Sequence, residues 1–398
     1  MTDARRPAIW MLGAVQCVYW GILYYAYSVL AVPMRSELGA TTAGIAGAFS
    51  LGLGVSAALA ARVGRRLDRG EGSRLLLGGA SAAAGLLLAW SAITTTIQLY
   101  LVWTGLGACM SVVLYETAFA LVTREIADPA RRLRALAAVT VMGGLASTLF
   151  LPLAGICSAA WGWRATLHLL AVLWVLATLL LWRRVLPTFT DGASPAGTGA
   201  AAPRAKDIGR RAIVVLGAPF VVATFAAMAL TIVVIPRLVE QGHSLQAASV
   251  VLAALGVMQL PGRVWLWLGG HAELSARQLL IAPLLLQAVG LLLVALSDGL
   301  VGAFGGVALF GIGAGLQTLA RPWIVPLRFG VAVAGRVNGD IARAQGVARA
   351  AGPFAAAAAA ETWGSSFVFV ALTLSLLVCV PVAWWACGAR PSSAPRAG

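Results

Sequence analysis

Residues 33–39 read PMRSELG, and residues 236–242 read PRLVEQG. Both segments keep the pattern Pro-x-x-x-Glu-x-Gly at an offset of 203, and each ends an apolar run long enough to cross a bilayer. A second pair, GLGA at residues 105–108 and GIGA at 311–314, follows in the same order at an offset of 206. Chance similarity between Gly- and Ala-rich helices explains one such pair more easily than two ordered pairs. The pattern therefore predicts an internal repeat, with two similar halves in one chain.

The composition identifies the solvent of this chain. Hydrophobic residues make up 60% of it, charged residues only 11%, and the mean hydropathy is +0.88. A soluble domain carries about a quarter charged residues, so this chain is predicted to have the lipid bilayer as its partner. The five cysteines fall in or beside apolar segments without metal-ligand spacing, which indicates buried apolar side chains.

The apolar runs predict an all-α integral membrane fold of twelve helices in two pseudo-symmetric six-helix bundles. The predicted spans are 9–34, 42–63, 75–93, 97–123, 135–160, 166–182, 212–235, 246–268, 278–297, 301–323, 340–361 and 365–387. The first bundle is expected over residues 1–182 and the second over 212–389. Residues 183–211 are rich in Pro, Gly, Ala and charge, which indicates a cytoplasmic linker, and residues 390–398 form a cytoplasmic tail.

The distribution of basic residues predicts the orientation. With twelve spans, Arg35, Arg164 and Arg237 are the only basic residues on one side, and the rest of the 29 lie on the side of both termini. Loops rich in arginine and lysine stay in the cytoplasm, so both termini are expected there, in a multi-pass protein of the inner membrane. Because the basic residues are scattered over short loops, no nucleic-acid partner is expected.

Two motifs carry a resemblance to a known family. The loop after span 2 reads GRRLDRGEGSR from residue 64, and WGWR at residues 161–164 precedes span 6. The loop resembles the Gly-x-x-x-Asp-Arg-x-Gly-Arg-Arg signature of the major facilitator superfamily, and Gly-Trp-Arg often precedes helix 6 in that family. The resemblance implies two bundles that rock about a central cavity. It also implies a conformational-switch loop made of Gly64, Asp68, Arg69, Gly72 and Arg74.

Departures from the family pattern narrow the resemblance. Proton-coupled drug exporters carry an arginine four residues before the Gly-x-Gly of helix 4, where this chain has Leu101. Their Gly-Pro-x-x-Gly-Gly element in helix 5 is degenerate here, as LPLAG at residues 151–155. With its aromatic first helix and Tyr115-Glu116 in helix 4, the chain looks more similar to monocarboxylate- and oxalate/formate-type members.

Glu116 is the acidic residue placed well inside a predicted span. An ionised group in hydrocarbon costs at least about 2.5 kcal/mol, so this carboxyl must be paired, protonated or in contact with water. Two interpretations stay open: a proton carrier, or a fixed ion pair between helices. The GLGA repeat sets Arg321 beside the counterpart of Glu116, which predicts a proton-coupling or gating pair. Arg321 either binds an anionic substrate or snorkels at the membrane boundary.

Other polar and aromatic side chains inside the spans are predicted to line the substrate cavity, although such groups serve helix packing as often as transport. This set comprises Gln16, Tyr19, Tyr24, Tyr25, Tyr115, Gln259, Arg263, Gln317 and Gln345.

The sequence thus predicts a secondary active transporter that moves a small organic solute, such as an anion or a toxic compound, by proton-coupled export. Uptake of a monocarboxylate-like nutrient and a non-transporting sensor on the same fold remain alternatives. No metal cluster, phosphate-cradling loop or nucleophile elbow is found, so no enzyme activity and no cofactor are expected, and the proton gradient supplies the energy. A small-molecule substrate and a monomer are expected.

Overall fold

The computed structural model describes residues 5–126, 128–189, 210–267, 275–329 and 331–388. Fourteen α-helices make up nearly all of this part of the chain. The helices of the first half are α1 (Arg5–Trp20), α2 (Ala26–Leu38), α3 (Thr42–Asp68), α4 (Gly72–Ser91), α5 (Thr96–Val113), α6 (Tyr115–Glu125), α7 (Pro129–Gly144) and α8 (Ala146–Leu180). Those of the second half are α9 (Arg210–Glu240), α10 (Leu245–Trp267), α11 (Ala276–Leu296), α12 (Leu300–Phe329), α13 (Val331–Trp363) and α14 (Ser365–Gly388).

These helices build the twelve predicted spans, and the all-α membrane fold is confirmed. A π-helical turn, Gly21–Tyr25, joins α1 to α2 in span 1, and α5 and α6 together form span 4. Helix α8 covers the second half of span 5 and nearly all of span 6. Gly162, its only residue with non-helical backbone angles, separates the two spans by a kink. Within the described residues, nine stretches are long and apolar enough to cross a membrane, and one of them, Arg134–Thr188, holds two spans.

Most helices run further than the apolar pattern predicted. Span 6 continues past residue 182 through a π-helical turn, Leu181–Val185, and a short 3-10 turn, Leu186–Thr188. The predicted linker 183–211 therefore begins too early, and α9 already starts at Arg210. Polar residues extend a helix beyond the hydrocarbon core, where hydropathy no longer reports it. The remainder of the linker, residues 190–209, and the tail 390–398 lie outside the described residues.

Positive-φ glycines mark the repeat in the backbone. Gly39 ends α2 with φ 59°, and Gly242 follows α9 with φ 90°. Gly162 (φ 80°) and Gly364 (φ 84°) make the turns into spans 6 and 12, at nearly the same offset as the first pair. Side chains rarely adopt this left-handed conformation, so glycine is required where a helix must stop and reverse. The two halves thus turn at matching positions.

The GLGA pair is out of register in three dimensions. A Cβ on Gly107 would meet the backbone of Gly52 in α3, and a Cβ on Gly311 would meet the backbone of Leu255 in α10. Both glycines therefore face the second span of their own half, and their spacing is close to that of the turn glycines. Gly105, in contrast, faces Leu86 of α4. Gly107, and not Gly105, is thus the structural counterpart of Gly311.

Two pairs of helices form the seam between the halves. Helix α3 packs along α13, and α8 packs along α10. Small residues allow close approach in the second pair, where Gly155 faces Ser249 and Gly256 faces Ser147. This crossed pattern, span 2 with 11 and span 5 with 8, encloses the space between the bundles.

The seam is held together at one end of the molecule. We call the end with the turns at Gly39, Gly162, Gly242 and Gly364 the closed end, and the opposite one the open end. Towards the open end, the substantial contacts of α6 in the described part of the chain are with α1, α4, α5 and α7 of its own half. Those of α12 are likewise with α9, α10, α11 and α13. The halves therefore meet mainly between the closed end and the middle of the spans.

Candidate functional site

Polar contacts join the halves between the closed end and the middle. Glu361, near the end of α13, accepts hydrogen bonds from the backbone N–H groups of Thr42 and Ala43 in the first turn of α3. Arg35 forms an ion pair with Glu240 at 3.4 Å. Deeper in the seam, the Phe354 N–H donates to the Ser50 hydroxyl at 2.9 Å. A carboxylate at a helix N-terminus is favoured by the unpaired N–H groups and the helix dipole. We call the contacts of Glu361 and Glu240 the latch.

Replacing Glu361 with alanine is expected to open the closed end more than replacing Glu240 with alanine. The Arg35–Glu240 pair is exposed and long, so it contributes about 0–1 kcal/mol. Glu361 instead holds two charge-assisted bonds in a fixed geometry. The measurement is the maleimide labelling rate of a cysteine placed at Ala46, a buried seam position. We expect a several-fold increase for Glu361→Ala; equal rates in Glu361→Ala and the parent background would contradict it.

An arginine junction ties three spans of the first half at the closed end. Arg164, at the start of span 6, pairs with Glu37 of α2 and donates to the Ile93 carbonyl beyond α4 at 2.7 Å. Trp163 donates its indole N–H to the same carboxylate at 2.6 Å. The WGWR motif is thus explained by packing, because its tryptophan and arginine fasten span 6 to spans 1 and 3.

The second half has the same junction with the charge on another helix. Arg237 of α9 donates to the carbonyls of Ala295 (3.0 Å) and Ser297 (3.2 Å) at the end of span 9. It also donates to the hydroxyls of Ser365 (2.9 Å) and Ser366 (2.6 Å) at the start of α14. The guanidinium is buried, and four acceptors compensate for its lost hydration.

Aromatic rings fill the middle of the first half around the π-helical turn of span 1. Tyr24 is 6% exposed, donates its hydroxyl to the sulfur of Met228 in α9 at 2.8 Å, and packs edge-on against Phe49. Trp20 contacts both Tyr24 and Tyr115, with ring centroids 5.2 and 4.9 Å apart. π-Helical turns widen a helix locally and recur at functional sites. Here the turn brings Tyr24 from the first half against the second.

A basic cluster lies opposite these rings in the second half. Arg321 of α12 donates to the amide oxygen of Gln345, whose nitrogen donates to Thr224 at 2.8 Å and to the Phe220 carbonyl. Arg349 lies one turn beyond Gln345 on α13, where the same helix continues towards the contact of Gly352 with Met228. Arg349 was not among the predicted site residues, although its four-residue spacing from Gln345 places both on one helix face.

Two predicted cavity residues are completely buried. Gln16 donates to the Val113 carbonyl at 2.9 Å, where α5 breaks before α6. Tyr19 stacks on Trp174, with centroids 4.1 Å apart, and its hydroxyl lies 3.0 Å from that of Thr178. Both side chains therefore fasten helices to one another in this conformation.

Gln317 belongs to a buried amide chain in the second half. It accepts from Gln287 of α11 at 2.7 Å and donates to the Pro219 carbonyl of α9 at 3.3 Å. This chain crosslinks spans 7, 9 and 10. Gln287 was not predicted, although an amide inside an apolar span is a recognisable signal.

The structure does not pair Glu116 with Arg321. Glu116 is exposed in the first turn of α6 and forms no ion pair within the part of the chain that the structure describes. The helix of span 4 is interrupted just before Glu116, at Leu114, which has an extended backbone (ψ −166°). Its neighbour Tyr115 stacks on Phe119 and faces Trp20. The first turn of α6 thus places Tyr115 at the aromatic cluster and leaves the carboxyl of Glu116 accessible.

The remaining predicted residues lie in the loop between α3 and α4 at the open end or near the middle of their spans. Gly64 and Arg69 are at the end of α3, and Gly72 and Arg74 begin α4, with Gly72 packed against Leu121. Tyr25 ends the π-helical turn of span 1. The backbone of Gln259 lies against Gly315 in the α10–α12 packing. The side chains of Asp68 and Arg263 lie outside the described residues. Among the described residues, no group of three or more His, Cys, Asp or Glu side chains is arranged to hold a metal ion.

Comparison with known proteins connects this architecture to a family. Residues 9–353 match the family model described as Major Facilitator Superfamily. The fold is similar to that of a bacterial homolog of the human lysosomal transporter Spinster, inward-facing and unoccupied, with TM-score 0.78, 13% identity and coverage of 97% of this chain and 98% of that one. No curated protein sequence matches the chain.

Two further solved structures are similar over nearly their whole length. The nucleoside transporter NupG gives TM-score 0.77 and 12% identity, covering 96% of this chain and 99% of that one. A POT family transporter in complex with 5-aminolevulinic acid gives TM-score 0.76 and 13% identity, with 95% of each chain covered. At such low identity the similarity is one of fold.

Proposed function

The chain belongs to the Major Facilitator Superfamily, and we propose that it exports a small organic solute by alternating access, driven by an inward flow of protons. It is a multi-pass membrane transporter, and this family assignment also accounts for the absence of an enzyme motif in the sequence. The observation that carries the alternating-access proposal is the seam. It is latched at one end, while the described helices α6 and α12 at the other end pack substantially only within their own halves.

The orientation follows from the arginines. Arg35, Arg164 and Arg237 lie at the closed end, whereas the other arginines of the described helices lie towards the open end or within the spans. By the positive-inside rule, the open end faces the cytoplasm, and both termini lie there in an inner membrane. This arrangement presents the space between the bundles to cytoplasmic solutes, as an exporter requires before each cycle.

Proton coupling is assigned to Glu116. Its carboxyl has no ion-pair partner within the described chain and is accessible from the open end in this conformation. The break at Leu114 separates α6 from α5 and gives the carboxyl a hinge on which to respond to proton exchange. These features favour the proton-carrier interpretation over a fixed ion pair.

Resistance in an efflux-deficient bacterial host tests the proposal. The host expresses the parent chain, Glu116→Gln, or the control Glu125→Gln, which removes a carboxylate from the other end of α6, at equal membrane abundance. The panel holds toxic organic acids, nucleoside analogues, 5-aminolevulinic acid and metalloid compounds. We expect the parent and Glu125→Gln to confer at least about tenfold more resistance than Glu116→Gln to one class.

Three results would change the proposal. Equal resistance with the parent and Glu116→Gln keeps export and removes the role of Glu116. Increased sensitivity with the parent replaces export by uptake, as for a monocarboxylate-like nutrient. Growth identical to the empty host across the panel favours a non-transporting sensor over an exporter of these classes.

A further inference from the structure

Two arginines of the second half flank Gln345, because Arg321 donates to its amide oxygen and Arg349 lies one turn further along α13. Arg321 is half-buried and bonded to a neutral amide, and Arg349 is exposed within α13. Neither forms an ion pair with an acidic residue in the described part of the chain. Two like charges at close range repel each other, and a cation inside a membrane span is costly unless it is paired. The pair therefore lacks the anion that would balance it.

Neighbouring contacts show that Arg349 faces the seam and not the lipid. On the same face of α13, Gln345 bonds to Thr224 of α9, and Gly352 packs against Met228, one turn further along α9. Arg349 lies between these two contacts. Met228 accepts the hydroxyl of Tyr24 from the first half. Arg349 thus lies near the point where Tyr24 of the first half meets α9 of the second.

Arg349 and Tyr24 lie at the depth of a transport site. Arg349 lies about four helical turns before Trp363, the end of α13, and Tyr24 lies about four turns before Leu38, the end of α2. At about 5.4 Å per turn, both are about 21 Å below the closed end. The bilayer is about 40–45 Å thick including its headgroup regions, in which the helix ends lie, so Arg349 and Tyr24 both lie near its middle.

We propose that Arg321 and Arg349 together bind the carboxylate or phosphate group of an organic anion, with Tyr24 closing the site from the other half. This inference rests on the proposed transport function and names its substrate class. Guanidinium groups bind such oxyanions through paired, charge-assisted hydrogen bonds. The Tyr24 hydroxyl now donates to a thioether, a weak acceptor, so an anion oxygen would be the stronger partner. Binding between the halves would couple substrate to their movement.

Thermal stability of the purified protein in neutral detergent tests the site. The probes are benzoate, oxalate and inorganic phosphate, at constant ionic strength, with benzamide and oxamide as neutral analogues of the first two. The variants are Arg321→Gln and Arg349→Gln. Arg343→Gln is the matched control, because it removes an exposed arginine of α13 that is already paired with Asp340. Phosphatidylglycerol, added without a soluble acid, distinguishes a lipid phosphate from a soluble anion.

We expect at least one anion to raise the Tm of the parent and of Arg343→Gln, and to leave Arg321→Gln and Arg349→Gln unchanged, while the amides have no effect. Without any ligand, the Tm of Arg349→Gln should exceed that of the parent, because one like-charge contact is removed. A Tm increase that neutral amides reproduce, or that Arg349→Gln retains, overturns the proposal. The proposal is also overturned if only phosphatidylglycerol raises the Tm, or if none of the probes does.

This test is independent of the proposed proton coupling. It is carried out in detergent without a proton gradient, and it does not involve Glu116. A failed resistance assay would therefore leave the binding result unaffected. Conversely, loss of the anion site would leave export of a neutral solute open.

Discussion

Valine in place of Gly107 is expected to abolish correctly folded protein, and alanine to lower its thermal stability. A Cβ at Gly107 would overlap the carbonyl oxygen of Gly52 and lie 2.6 Å from its Cα. Both atoms are backbone, so no side-chain rotation relieves the clash, and α3 must move away from α5. Overpacking of this kind costs about 1–3 kcal/mol for added methyl groups and more where backbone has to shift.

The damage would spread beyond the helix pair. Trp103 of α5, one turn before Gly107, packs against the rings of Phe49 and Tyr27, and a Cβ on Gly52 would meet its carbonyl at 2.9 Å. A separation of α3 from α5 therefore loosens the aromatic core of the first half. Because Tyr24 packs on Phe49, the seam would be affected as well.

Size-exclusion chromatography after heating in detergent measures this effect. Gly85→Ala is the matched control, since among the described residues no atom outside its own helix lies within 4 Å of a Cβ at that position of α4. Alanine favours a helix over glycine by about 1 kcal/mol, so Gly85→Ala should be neutral or stabilising. If Gly107→Val remained monodisperse with the Tm of Gly85→Ala, the close approach of α3 and α5 would not be essential.

The fold was predictable because the bilayer imposes simple requirements. Each crossing needs about 20 apolar residues, and each reversal needs a residue that tolerates a positive φ. The Pro-x-x-x-Glu-x-Gly repeat contains one such reversal, and Gly39 and Gly242 both adopt it. The family resemblance of the loop after span 2 is confirmed by the match over residues 9–353.

The site was less predictable, because a helix in lipid is apolar on every side. Without a polar face, residue spacing does not report which side chains meet the seam. Gln16 therefore looked like a cavity residue but is bonded to a backbone carbonyl. The Val113 carbonyl accepts this bond where the helix is interrupted at Leu114. The sequence does not predict the interruption there, because no proline or glycine stands at that position. The role of Arg349 became visible only when α13 was placed against α9 and Tyr24.

The halves differ most at their closed-end junctions, and this difference has a consequence for the seam. The spacing of Gly162 and Gly364 aligns Arg164 with Ser366 and Ile93 with Ala295. In each half the junction links the first, third and sixth spans of that half. The arginine belongs to the sixth span in the first half (span 6) and to the first span in the second half (span 7). Glu37 neutralises Arg164, whereas its counterpart Glu240 has no such task and pairs across the seam with Arg35. The broken symmetry thus supplies half of the latch.

Methionine in place of Arg237 is expected to destabilise the protein by about 2–4 kcal/mol, because buried acceptors lose their donor. Methionine fills a similar volume but donates no hydrogen bond, so the carbonyls of Ala295 and Ser297 lose their shorter partners. A buried acceptor left without a partner costs about 1–3 kcal/mol. Longer bonds from Ser366 and Gln241, both at 3.4 Å, recover part of this loss. The closed ends of spans 7, 9 and 12, which Arg237 joins, would lose their shared contact.

The pseudo-symmetric Arg164→Met is the natural comparison. Arg164 is 34% exposed and Glu37 50%, so water replaces most of what that substitution removes. We expect the Tm of Arg237→Met to fall by about 5 °C or more, and that of Arg164→Met by less than half as much. Arg237→Lys should lie between them, since a lysine keeps the charge but not the planar fork. Equal losses for the two methionine variants would mean that burial does not set the strength of these junctions, and that the second half is no more dependent on its arginine than the first.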